Sequence, residues 1–273
     1  MLDQAAIKEL NKSQAISAAE TAITGQVDTL VALPDDFKVH DLENYLVARR
    51  RARGTMQTSS VTDFAQYATT HKEEGAAVFV DADDMEAVAV LNLGTPDDPG
   101  HADNRAKLKL KKTAAFMAMM QHASGTALKQ ATAAEFLEDW TEHTDCYNDE
   151  GNVSKPKAIA AVRKLTIESM RKLESSEQSL SASKSAFESI QATSADPLPT
   201  IIYFRCVPYV GLAERQFVLR LGVQTGGDKP SIVLRIVKAE LHAEEMANEL
   251  AELTREALDN TMPVLIGEYA KAN

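Results

Sequence analysis

The loop Gly100-His-Ala-Asp-Asn-Arg105 gathers an imidazole, a carboxylate, an amide and a guanidinium within six residues. His101 and Asp103 stand two apart. If the turn at Asp81, Asp83 and Asp84 comes beside them, the oxygens and the imidazole make a divalent-cation site. The bland alternative is a loop whose Asp and Asn cap local backbone donors, with His101 hydrogen-bonded to hold it. Basic clusters are a second chemical feature. Arg49, Arg50, Arg51 and Arg53 form one; Arg105, Lys107, Lys109, Lys111 and Lys112 form another with no acidic residue inside it. Each suits a phosphate or an acidic partner, and each also suits a solvated face paired with acidic surface of its own or a neighbouring copy. The third feature is Arg205, Arg220 and Arg235, each opposite the apolar side of its strand. Like charges across strands repel unless an anion lies between them. Glu side chains from the carboxy-terminal helix are the expected anion, and an anionic ligand is the sharper alternative.

Other chemistries find less support. A magnesium nuclease of the Asp…Glu-x-Lys type needs carboxylates for the metal and a lysine for the attacking water. Asp81 and Glu86 flank a hairpin, but Glu86-Ala-Val stands where Glu-x-Lys is required. No GxGxxG, GxxxxGK[ST] or GxSxG occurs, and neither His40 nor His71 stands near a Cys or Ser in a nucleophile arrangement. No catalytic residue, metal ligand or cofactor is expected from these patterns.

The chain that must position these groups has 273 residues, 44% hydrophobic, 25% charged and only 5% aromatic. That is a globular composition with a core of Ala, Val, Leu and Ile. A net charge of −11 argues against indiscriminate coating of nucleic acid, which needs excess Lys and Arg. The two cysteines, Cys146 and Cys206, belong to no CxxC pair and read as reduced thiols. No window reaches the roughly 18 apolar residues of a membrane span. The amino terminus lacks the basic and apolar regions of a signal peptide, so a cytoplasmic protein without membrane contact is expected.

Helical spacing predicts a first, Ala-rich helix over Leu2–Thr24. A short strand, Thr29–Leu33, and a helix from Asp41 follow. That helix runs into the arginine cluster and stops at Gly54. Ser60–Glu74 reads as a helix with Val61, Phe64, Tyr67 and Ala68 on one face. Ala76–Val80 and Glu86–Leu91 read as a hairpin. Residues 105–111 alternate, Ala106, Leu108 and Leu110 one way and the basic residues the other. Thr113 caps a helix over Ala114–Ala123, with Phe116, Met117 and Met120 inward. A further helix is predicted over Ala127–His143, and another from Pro156. The Ser-rich stretch 166–193 suits a broken helix plus strand. Ile201–Val207, Gln216–Val223 and Ser231–Lys238 form an antiparallel meander, turning at Gly226–Pro230 between the last two. The helix Ala239–Leu258 covers it with Ala239, Ala243, Met246, Leu250, Leu253 and Ala257. The class is α+β: antiparallel sheets covered by helices. The polar segment 148–156 divides an amino-terminal α+β region with the basic strand, 1–147, from a carboxy-terminal meander plus helix, 154–273. The alternative is one intimate domain.

The segment Leu93–Phe116, with its Gly-His-Ala-Asp and Arg-Ala, resembles the YfdQ-like family of phage and prophage proteins. So do Phe204–Leu221, Val39–Tyr45 and Pro263–Gly267. The resemblance implies a phage-derived protein in the cytoplasm of a bacterial host, and it carries no catalytic residues with it. The leading expectation is a non-enzymatic, homo-oligomeric accessory protein in phage DNA metabolism or counter-defence. A nucleic-acid-binding module using clusters 49–53 and 105–112 is the alternative, and a metal-dependent enzyme at the His101 loop a further one. The partners expected are copies of itself, then nucleic acid or a host or phage protein. Matching acidic and basic patches favour self-association. Light scattering after size exclusion at physiological salt is therefore expected to give a multiple of 29.7 kDa; the monomer mass at all micromolar concentrations refutes this.

Overall fold

The computed structural model describes residues 4–25, 47–165, 197–224 and 230–270. The expected strand Thr29–Leu33, the start of the helix at Asp41, the stretch 166–193 and most of the Gly226–Pro230 turn lie outside the described residues. Residues 1–52 and 53–273 form two separate compact units. In the first, α1 (Gln4–Gly25) is the expected Ala-rich helix, with Ile7, Leu10 and Ile16 exposed. Residues 47–53 are not helical, and Gly54 opens a strand instead of ending a helix.

The second unit is α+β, with two sheets covered by helices. The first sheet contains β1 (Gly54–Thr58), β2 (Ala77–Asp81), β3 (Glu86–Val90), β4 (Asn104–Lys109) and β11 (Val264–Ile266), in the order β1-β4-β3-β2-β11. The hairpin β2–β3 and the strand β4 are antiparallel neighbours, while β1 on β4 and β11 on β2 are parallel. The second sheet contains β5 (Ser124–Lys129), β6 (Thr144–Asn148), β7 (Gly151–Val153), β8 (Ile201–Cys206), β9 (Arg215–Gln224) and β10 (Ser231–Ile236). It is antiparallel throughout, in the order β5-β10-β9-β8-β6-β7, so the meander β8–β9–β10 stands at its centre. The segment 148–151 is a hairpin turn within this sheet, which draws strands from both sides of it.

One hydrophobic core joins the inner faces of the two sheets. Phe204, Phe217, Leu219 and Ile232 are fully buried on one, and Val78, Ala89 and Leu108 on the other. Each large apolar side chain so buried stabilises the unit by about 1.5–3 kcal/mol. Two helices, α2 (Val61–His71) and α6 (Ala239–Ala257), lie against the five-stranded sheet. Three more, α3 (Ala114–His122), α4 (Gln130–Asp139) and α5 (Lys155–Lys164), lie against the six-stranded one. Ser60 caps α2, and the Thr113 hydroxyl caps α3 by accepting from Phe116 N at 3.2 Å.

Several expectations need correction. Phe116 is buried against Tyr209 and Phe217, both ring pairs at 5.5 Å, but Met117 and Met120 are 52% and 43% exposed. Docking of Phe116 turns α3 so that Ala115 and Met119 face inward. Residues 127–129, expected to open a helix, instead end β5, because β10 takes them as its antiparallel partner. The final helix meets the meander at the start of β9, where the His242 ring lies 4.8 Å from that of Phe217, but most of its packing is elsewhere. It packs on α2, β2 and β11 through Met246, Ala247, Leu250, Ala251 and Thr254.

The arginine ladder is corrected as well. Arg220 does stand opposite Arg235, but the helix carboxylates of Glu245 and Glu249 pair with Arg215, at 2.8 and 2.7 Å. Arg215 is 18% exposed and ties α6 to β9, whereas Arg220 and Arg235 are exposed. Arg215→Ala is expected to lower stability by about 2 kcal/mol, part of the larger cost of a fully desolvated pair. Arg220→Ala is expected to change it by no more than about 0.5 kcal/mol. Thermal melts of the two variants check the contrast, and equal losses would contradict it.

Candidate functional site

In β4, Ala106 and Leu108 are fully buried, so strand geometry turns Arg105, Lys107 and Lys109 to the opposite face. β1 places Thr55 level with Arg105 and Gln57 level with Lys107. β3 places Val88 level with Lys107 and Glu86 level with Lys109. The outcome is a groove of about 670 Å³ lined by Gln57, Thr58, Ser59, Glu86, Lys107, Lys109, Leu110 and Lys111.

Glu86 organises it. Its side chain is 7% exposed, Lys107 Nζ lies 2.5 Å from one carboxylate oxygen, and Lys109 donates to the other. Burial pushes the Glu86 carboxyl up, but hydrogen bonds and charge from Lys107 and Lys109 outweigh burial and hold it below its ordinary 4.5. The same contact raises Lys109. Among the described residues, three ammonium groups at 107, 109 and 111 against one carboxylate leave the groove with two net positive charges. Gln57, Thr58 and Ser59 add neutral polar groups. This arrangement suits an anion such as phosphate.

The groove continues into a cavity of about 380 Å³ over Phe79 and Val88, bordered by Asp81, Asp84, Glu268 and Tyr269. The Tyr269 ring lies 5.1 Å from that of Phe79, and the Arg105 guanidinium 5.5 Å from Tyr269. The trough is therefore basic at one end, and aromatic and acidic at the other.

The His101 loop is held by its own backbone and amides. The Asn92 side chain donates to Asp103 at 3.0 Å and accepts from Asn104 N at 2.9 Å, and Ala102 N donates to Asn92 O at 3.1 Å. Arg105 Nε donates to Ala102 O at 2.8 Å, which fixes a left-handed residue with φ 52°. A Cβ on Gly100 would stand 2.1 Å from Asn92 O, and one on Gly75 would stand 1.9 Å from Gly94 O. The loop is thus closely built, and His101 stands exposed outside these bonds. The proposed cation oxygens do not converge. Glu86 pairs with Lys109 and Val90 with Arg105, so the turn after Asp81 and the loop at His101 lie at opposite ends of the strands. Among the described residues no group of three or more His, Cys, Asp and Glu is placed to hold a metal ion.

Of the remaining predicted residues, Lys111 lines the groove, while Lys112 is exposed and bridges by its backbone to Tyr209. Arg49 and Arg50 are exposed and Arg51 half-buried in the first unit; Arg53 is exposed in the second, and Arg51 and Arg53 each have a partner. Cys146 and Cys206 are free and buried, and burial pushes their thiols up to about 11 and about 12, away from nucleophilic reactivity. Sequence reading missed Gln57, Thr58, Ser59 and Tyr269. The alternation in Gly54–Thr58 was the available signal for β1; the parallel pairing that brings it to β4 left none. Among the described residues no helix is long and apolar enough to cross a membrane.

The Glu86 value is depressed in the folded chain, so its pairing stabilises fully above pH 4.5 and is lost as the pH falls through the lower folded value. Glu86→Gln is expected to cost about 1 kcal/mol at neutral pH, because both lysines can reach water. It is also expected to flatten the acid limb of a plot of melting temperature against pH. An acid limb as steep as that of the parent chain would contradict the pairing.

Neither the curated proteins nor the solved structures contain a match to this chain. The loop, the basic strand, the meander and the last helix all fall within one family match spanning residues 2–269, and the chain belongs to that family, described as an uncharacterized conserved protein (DUF2303).

Proposed function

We propose that this chain is a non-enzymatic accessory protein that acts in phage DNA metabolism by holding phosphate in the groove on the five-stranded sheet. One observation carries the reading: in a chain of net charge −11, Lys107, Lys109 and Lys111 line one groove, and among the described residues Glu86 is the single carboxylate in its lining. Glu86 orients two of the lysines without cancelling them, so the site is prepared for an anion before one arrives. Phage origin and action in the bacterial cytoplasm, in DNA metabolism or against host defence, rest on the likeness of residues 93–116 and 204–221 to YfdQ-like proteins. Self-association is part of the same reading. Exposed Ile7, Leu10 and Ile16 on α1 support it, since apolar side chains left at a surface gain by burial against another copy.

The test is retention of labelled DNA by the full chain over a series of salt concentrations. The parent is expected to bind with a salt-dependent affinity, and Lys107→Glu with Lys109→Glu to lose at least tenfold and to flatten the salt slope by about two phosphates. Unchanged binding in a double variant of unchanged melting temperature would leave the lysines as a solvated face and refute the proposal.

A further inference from the structure

The outer face of the six-stranded sheet carries an arrangement independent of the groove. Its inner face is buried, so alternate residues point outward: Tyr147 from β6, Tyr203 and Arg205 from β8, Arg220 from β9 and Arg235 from β10. Register sets Tyr147, Ile201, Arg220 and Arg235 as successive cross-strand partners in one row. Four strands at about 4.8 Å spacing make that row about 14 Å long. The adjoining row holds Tyr203 between Asp145 and Val218. The Tyr147 and Tyr203 rings meet edge to face, with centroids 5.2 Å apart.

The charges on this face are unequally matched. Asp145 takes Arg205 at 2.8 Å. Arg220 and Arg235 are exposed and directly opposed, and among the described residues no carboxylate lies within ion-pair distance of either. Opposed like charges destabilise a sheet. Two such guanidiniums side by side in a strongly acidic chain suit an anion from outside. Paired guanidiniums suit phosphate, which they can grip through several donors. The neighbouring tyrosines suit planar bases, which stack on aromatic side chains at about 1–3 kcal/mol each. A duplex hides its bases in the stack and cannot use such rings; a single strand can. We propose that this face binds single-stranded nucleic acid, Arg220 and Arg235 holding a phosphate and Tyr147 and Tyr203 receiving bases.

Fluorescence anisotropy with labelled oligothymidylate, and with a duplex of equal length, tests this on the full chain. The parent is expected to prefer the single strand. Arg220→Glu with Arg235→Glu is expected to lower affinity for it at least tenfold, and Tyr203→Leu at least fivefold, matching the lower end of one stacked base. Lys107→Glu with Lys109→Glu is expected to keep the preference for single strand. If the glutamate pair lowers the melting temperature, Arg220→Gln with Arg235→Gln keeps the hydrogen-bonding side chains while removing the charge, and the same loss is expected. Parent-like binding in the folded arginine variants overturns the proposal, as does a preference for duplex or no binding by the parent. Loss confined to the lysine variant overturns it too, while leaving the groove reading intact.

Discussion

A strand has only two faces, and in β4 that limit decides where the chemistry stands. Ala106 and Leu108 are fully buried, as are Ala87 and Ala89 on the strand beside them. Those small side chains leave room for α2, whose Phe64 is fully buried in the same core. With the apolar residues committed inward, Arg105, Lys107 and Lys109 must face outward. A slip of one residue would send three cations into a core without partners and turn Leu108 to water. Glu86 strengthens this register from the next strand, because its buried carboxylate is satisfied only when Lys107 and Lys109 stand where they do.

What the sequence showed divides by range. The β2–β3 hairpin, the alternation in β4, the Thr113 cap and the meander are local patterns, and all were readable as residues in order. Elements created by distant partners were not. β1 forms on β4 some fifty residues away, β11 on β2, and β5 beside β10, although Ala127–Lys129 has ordinary helical composition. The candidate site follows the same division. The lysine face was legible from alternation alone. Glu86 as its partner required the register between β3 and β4, and Gln57, Thr58 and Ser59 required a parallel pairing. The supposed convergence of Asp81 with His101 failed because two antiparallel reversals carry these residues to opposite strand ends.

Net charge hides how the cations are employed. Arg163 is matched by Glu138, Arg205 by Asp145, and Arg215 by two glutamates of α6. Those are the partners of a folded surface, and their arginines are spoken for. Lys107 and Lys109 share one carboxylate, so their matching is incomplete by one charge. Arg220 and Arg235 face each other with none among the described residues. A residual positive charge raises the local concentration of anions only where the surrounding acidic surface does not cancel it. Acidic side chains close to a basic site also penalise a polyanion that spreads beyond it. The overall −11 therefore works with the two basic faces. In the proposed reading it suppresses indiscriminate binding and confines attraction to positions where, among the described residues, cations exceed their partners.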